Sequence, residues 1–228
     1  MPLVDLSHVE FWIFDLDNTL YPARCQLFDQ VDRRIGLYIE QLLKLDRDAA
    51  RALQKQYFRD HKTTLRGLMD NHAIDPGHFL EFVHEIDVSG VPADPELDIA
   101  LERLPGRKLI YTNGSVAHAR NVMARVGIDR HFQDIFDIAA ADYVPKPAPE
   151  SFAQLVARYG IAPERAIMFD DMPRNLEPAA ALGMTTVLVS SHHDWAQPTG
   201  TEDFIHHTTD RLGQWLGGIG LSPAKSGT

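Results

Sequence analysis

A parallel β-sheet covered by helices on both faces, with an all-helical segment inserted after its first strand, is the α/β fold class this sequence predicts. Two observations carry it. Short apolar runs rich in β-formers alternate with amphipathic helical stretches, the pattern of strands buried on both faces. More than 80 residues of helical periodicity also separate the first run from the second. That interval far exceeds the ~10–12 residues a crossover needs.

The first strand is FWIFD at 11–15, and it sets four apolar residues against Asp15, with Asp17 one residue further on. Burying carboxylates there costs several kcal/mol or raises their pKa. The next segments, FDQVDRRIGLYIEQLLKL, RDAARALQKQYFRDH, TTLRGLMDNH and DPGHFLEFVHEI, repeat apolar residues at three- and four-residue spacing and read as helices. Pro22 and VSGVPADPE at 88–96 punctuate the two ends of this insertion. The later strands are KLIYTNG at 108–114, a weaker DIFDIA at 134–139, AIMFDD at 166–171 and TTVLV at 185–189. Helices are expected around 116–126, 149–160 and 174–183. The expected organisation is a core of 1–19 and 96–220, a helical insertion of 20–95, and a frayed tail, LSPAKSGT, at 221–228. An insertion that leaves and returns beside a strand's carboxyl end would sit over that end as a lid, where α/β sheets bind ligands.

Composition bounds the function. The chain has 228 residues, 44% of them hydrophobic and 24% charged, ordinary values for a soluble globular protein. A net charge of −10 argues against general nucleic-acid binding. One cysteine, Cys25, excludes an internal disulfide and fits a reducing compartment. The first residues lack a signal peptide's basic start and long apolar run, and no stretch approaches the ~18 apolar residues of a membrane span. The expectation is a cytoplasmic protein with no membrane partner.

Four polar clusters fall at strand ends or in the loops after them. They are Asp15 with Asp17, then YTNGS with Thr112, Asn113, Gly114 and Ser115, then VPKPAPESF with Lys146, then FDDMPRN with Asp170 and Asp171. Singly, each has an ordinary explanation: an N-cap, a turn, a surface lysine. Together, in this order, DLDNTL, TNGS, KP and FDD resemble the four motifs of the haloacid dehalogenase-like hydrolase superfamily, from about Phe11 to Val189. The resemblance implies a Rossmann-like parallel sheet with a mobile helical cap inserted after the first strand.

It also implies roles. Asp15 would be the nucleophile, forming an aspartyl-phosphate that splits one difficult step into two. Lys146 and a bound Mg²⁺ would offset the approach of two anions. The metal site would draw on Asp15, Asp17 through its backbone carbonyl, Asp171 as the usual ligand, and Asp170 as a second acid or additional ligand. Asp17 would cycle between acid and base, which calls for a raised pKa. Burial would push it that way and a metal the other. The family's dehalogenases lack this second aspartate, so Asp17 points to a phosphatase. Thr112 and the Asn113 amide would bind the phosphoryl oxygens beside a helix N-terminus, with Gly114 allowing close approach. Asn175 stands where many members carry another aspartate.

Within the superfamily, FDLDNTLYP, YTNGS, KPAPESF and FDD, with the cap stretch LRGLM…IDPGHFLEFVHEID, resemble the pyrimidine 5′-nucleotidase-like branch. The expected substrate is then a nucleoside monophosphate, with a sugar phosphate or other small phosphorylated metabolite as the alternative. A phosphate-accepting receiver domain is shorter, has no helical insertion, and carries its phosphorylated Asp after a later strand. A silent binding protein would be expected to have lost Asp15, Asp17 or Lys146. Among lesser features, His192–His193 and His206–His207 read as exposed loop histidines. Phe79 and Phe82 read as the insertion's own core. DHKTTLRGL at 60–68, with His61, Lys62, Thr63, Thr64 and Arg66, reads as a solvated helix end rather than a substrate-facing patch.

Overall fold

The computed structural model describes residues 5–190 and 202–220. Its strands are β1 (Phe11–Phe14), β2 (Arg107–Tyr111), β3 (Asp134–Phe136), β4 (Ala166–Asp170), β5 (Thr185–Val189) and β6 (His207–Thr209). They form one parallel sheet in the order β3-β2-β1-β4-β5-β6. The chain steps one way from β1 to β2 and β3, then the other way to β4, β5 and β6. The switch point therefore lies at the carboxyl end of β1, between β2 and β4, where such sheets open a crevice.

Alternation along β1 divides the core. Trp12 and Phe14 face one side with Ile110, Ile167, Phe169 and Val187. Phe11 and Ile13 face the other with Leu109, Tyr111 and Met168. Phe14 lies opposite Ile110 and Phe169 in the register and stacks on the Phe169 ring at 4.5 Å. Burial on both faces is why the strand reads as an unbroken apolar run.

The helices are α1 (Leu27–Leu43), α2 (Arg47–His61), α3 (Thr64–His72), α4 (Pro76–Val83), α5 (Pro95–Arg103), α6 (Val116–Val126), α7 (Pro149–Tyr159), α8 (Pro173–Ala181) and α9 (Leu212–Gly217). Leu97 and Leu101 of α5, Val122 and Met123 of α6, and Leu216 of α9 cover the Trp12 face. Phe152 and Leu155 of α7 and Leu176 and Ala179 of α8 cover the other. Helix starts are set locally: Asp46, Thr63, Asp75, Asp94 and Ser115 each accept an orphan N–H of the first turn.

Helices α1–α4 follow β1 and gather a separate cluster that includes Tyr38, Ile39, Tyr57, Leu68, Phe79 and Val83. Phe79 is buried there and Phe82 packs against it, as expected of an internal core. Ile138, from the loop after β3, joins the same cluster, so these helices rest on the carboxyl edge of the sheet. Where α3 crosses α2, a Cβ on Gly67 would stand 2.5 Å from Tyr57 Cβ, which makes a side chain there a clash.

Among the described residues, α5, β6 and α9 are elements that the sequence pattern did not announce. β6 and α9 span three and six residues, too short to establish a period. DIFDIA yields only the three-residue β3 and then turns. His206 is an exposed loop residue as expected, its Nδ1 accepting a hydrogen bond from Thr186 N at 3.0 Å, whereas His207 departs from that expectation by opening β6, half-buried. His192, His193 and the 221–228 tail lie outside the described residues. Among the described residues no helix is long and apolar enough to cross a membrane.

Candidate active site

Asp15 is held by the sheet itself. Its N–H donates to Phe169 O at 2.8 Å, extending the β1–β4 ladder one residue beyond the strand. The Lys146 ammonium donates to Asp15 Oδ1 at 2.7 Å, to Asp170 Oδ2 at 2.7 Å and to the Tyr111 carbonyl at 2.9 Å. All three protons of the ammonium are thus used, one each at the ends of β1, β2 and β4. Thr19 Oγ1 donates to the other Asp15 oxygen, Oδ2, at 3.0 Å. Lys146 is only 2% exposed. Burial alone would discharge it, but Asp15 and Asp170 outweigh that and hold its pKa above the ordinary lysine range. Burial pushes the Asp15 carboxyl up to about 7; Lys146 opposes the rise, and the charges of Asp170 and Asp17 add to it.

The two adjacent aspartates after β4 differ in what they touch. Asp170 is saturated: Oδ2 takes Lys146, and Oδ1 accepts from Met172 N and from Asn175 Nδ2, both at 2.9 Å. Asn175 therefore braces Asp170. Asp171 is also buried, yet its Oδ2 has no hydrogen-bond partner among the described residues. Burial, then the nearby charges of Asp15 and Asp170, raise its pKa well above the usual carboxylate range. Oxygens of Asp15, Asp170 and Asp171 lie within 4.8 Å of one another. A buried carboxylate oxygen without a donor, in an all-oxygen cluster of repelling acids, fits a hard divalent cation such as Mg²⁺.

Asp17 stands apart from that cluster. Its Oδ1 accepts from His118 Nε2 at 2.8 Å and from the Tyr21 hydroxyl at 2.7 Å. Burial pushes this carboxyl up, but the His118 charge and the hydrogen bonds from His118 and Tyr21 prevail and bring it to about 2. The raised pKa that an acid–base role calls for is not what this environment gives, because a histidine 101 positions away outweighs burial. His118 is itself raised, since Asp17 more than offsets its burial.

Thr112 and Asn113 organise the loop between β2 and α6. Thr112 Oγ1 accepts from Gly114 N at 2.9 Å, closing a tight turn. Asn113 reaches across to the Lys146 loop: its Oδ1 accepts from Lys146 N at 2.9 Å and its Nδ2 donates to Lys146 O at 3.3 Å. A Cβ on Gly114 would come within 3.3 Å of His118 Cδ2 and of Thr112 Oγ1. Asp15, Lys146, Asp170 and Asp171 thus converge, with Asp17, Thr112 and Asn113 around them. Thr19, Tyr21, Tyr111, His84 and His118 were not singled out by sequence. Thr19 and Tyr21 stand four residues after Asp15 and Asp17, an offset that offered the signal for them.

In the 60–68 stretch, Arg66 and His61 both pair with Asp70, and Thr63 caps α3, as a helix end would. Lys62 instead lines a cleft of about 620 Å³ with Arg59, Pro147 and Arg174.

Residues 12–183 match the family model described as haloacid dehalogenase-like hydrolase. Fructose-1-phosphate phosphatase YqaB of Escherichia coli is 27% identical over 77% of this chain and 93% of its own length. Glyceraldehyde 3-phosphate phosphatase of Methanopyrus kandleri is 27% identical over 87% and 92%. Phosphate metabolism protein 8 of Saccharomyces cerevisiae is 26% identical over 78% of this chain, which spans 60% of that protein's length. A solved dehalogenase with an intermediate complex superposes with a TM-score of 0.62 at 18% identity, covering 96% of this chain and all of that one, and shares the fold. The family match covers most of the chain and includes every residue of the cluster: the protein belongs to the haloacid dehalogenase-like hydrolase family.

Proposed function

We propose that the protein is a phosphomonoester hydrolase that works through an aspartyl-phosphate on Asp15, for a small phosphorylated metabolite. The observation that carries this reading is the Lys146 ammonium shared between Asp15 and Asp170, with Asp17 two residues beyond Asp15 and held by its own donors. Lys146 keeps Asp15 oriented and offsets the negative charge that collects as it meets a phosphoryl group. Uncatalysed phosphate monoester hydrolysis is slow enough that the site must supply close to ~20 kcal/mol. Thr112 and the Asn113 amide receive the phosphoryl oxygens at the start of α6.

In the first step the Asp15 oxygen bonds to phosphorus as the bond to the leaving oxygen breaks, and Asp17 gives that oxygen its proton. In the second, Asp17 takes a proton from water as the water attacks phosphorus and frees Asp15. The low pKa of Asp17 leaves it ionised in the free protein. An incoming phosphate dianion raises that pKa and favours donation in the first step. Asp15, Asp171 and the Asp17 carbonyl would hold Mg²⁺, with Asp170, already bonded to Lys146, Met172 and Asn175, as the acid behind them; the metal would neutralise charge on the transferring group. Residues 20–95 act as a cap closing over a core of 1–19 and 96–220.

Two substrate classes follow from different observations. Two relatives carry the names of sugar-phosphate phosphatases, which favours a sugar phosphate. The cap stretch LRGLM…IDPGHFLEFVHEID supports the second reading, a pyrimidine nucleoside monophosphate. Phosphate release across fructose 1-phosphate, glyceraldehyde 3-phosphate, UMP and CMP separates them. We expect the sugar phosphates to lead; pyrimidine nucleotides outpacing them tenfold would reverse the order.

A further inference from the structure

We infer that His118 is the positioning residue for Asp17 and that His84, reaching over from the helical insertion, braces it. His118 lies in the first turn of α6 and is 1% exposed. It donates from Nε2 to Asp17 Oδ1, the same oxygen that Tyr21 takes. Two donors on one oxygen fix the carboxylate plane and, among the described residues, leave Oδ2 without a hydrogen bond. Oδ2 is then the oxygen that exchanges protons with the leaving group and the water. This assignment rests on the hydrolase reading above.

His84 gives the pair its second support. It follows α4, and its ring stacks on that of His118 with centroids 4.4 Å apart and planes 8° from parallel. Its Nδ1 lies 3.0 Å from Ser115 Oγ, the oxygen that also caps the His118 N–H at 3.3 Å. One residue of the insertion thus touches both the ring that holds Asp17 and the cap that starts its helix. Both rings pack beside Gly114: a Cβ there would stand 3.3 Å from His118 and 3.6 Å from His84. The contact orients Asp17 only while α4 sits against the phosphate loop, so the insertion's position and the acid's geometry are linked.

The test compares kcat/KM for 4-nitrophenyl phosphate, whose leaving group needs no proton, with that for phenyl phosphate, whose leaving group does. Their ratio within one preparation does not depend on the folded fraction. His118→Ala should lower kcat/KM for phenyl phosphate about 30-fold, part of the 10²–10⁴ that general acid catalysis supplies. It should change 4-nitrophenyl phosphate less than about threefold. His118→Gln, which keeps a donor near Nε2, should bring the ratio back to within about threefold of wild type. His84→Ala should shift the ratio in the same direction by a smaller factor. Equal losses on both esters in His118→Ala, or a Gln variant no better than Ala, would overturn the assignment. A wild-type protein that releases phosphate from neither ester would instead defeat the hydrolase reading.

Discussion

Lys146 shows how far a residue's neighbours can change its meaning. In isolation it is a lysine between two prolines; in the fold its ammonium balances two buried acids, Asp15 and Asp170, and donates to the Tyr111 carbonyl. Replacing it with Met would leave those acids unneutralised, a change that costs about 3–5 kcal/mol for a buried pair. Urea denaturation at pH 7 should register that loss, and at pH 5 it should shrink because the stranded carboxyls can protonate. Asp15→Asn should abolish turnover while the melting curve stays cooperative, and retained phosphate release would remove Asp15 as the nucleophile. The family resemblance set Asp171 apart as the usual metal ligand, but the hydrogen bonds that distinguish it from Asp170 were not legible in the chain, where the two are simply adjacent. Three donors on one and an orphaned oxygen on the other arise only when β4, α8 and the Lys146 loop meet.

Elements were legible in proportion to their length and their periodicity. β1, β2, β4 and β5 stand where apolar runs predicted them, because burial on both faces favours apolar side chains along a whole strand. Three of the four helices of the insertion, α2, α3 and α4, begin at Asp46, Thr63 and Asp75, whose short side chains bond the first turn. β6 and α9 depend on neighbours instead. α9 is held by its approach to α5, where a Cβ on Gly213 would lie 2.8 Å from Leu97 N. Gly67 plays the same part where α3 crosses α2. Gly67→Ala should lower stability by about 1–3 kcal/mol through overpacking against Tyr57, measured as a shift in the urea midpoint with an unchanged slope.

At the scale of the whole molecule, the acidic cluster makes stability depend on pH and on a bound cation together. In the metal-free protein Asp15 titrates near 7, above the ~3.9 of an unfolded aspartate. The folded state then binds more protons than the unfolded one between those values. Its contribution to stability is complete below about 4 and is lost as pH rises through 7. A divalent cation needs the same carboxylates ionised, so its stabilisation grows in the opposite direction. Millimolar MgCl₂ should raise the melting temperature more at pH 8 than at pH 5.5. In Asp171→Asn the magnesium shift should vanish while the metal-free melting point stays level or rises. A magnesium shift of wild-type size in that variant would remove Asp171 as a ligand.

By itself the sequence determined the parallel sheet, the helical insertion after β1, and the acids and lysine that meet at the sheet edge. Each of these follows from local periodicity or from a residue standing directly after a strand. Only the tertiary structure decided the state of Asp17, the different hydrogen bonding of Asp170 and Asp171, and the histidine pair that ties the insertion to the site. Those depend on groups such as His84, Ser115 and His118, brought together by packing from positions far from Asp17 in the chain. Electrostatic and hydrogen-bond energies act over a few ångströms of space, and distance along the chain does not report them.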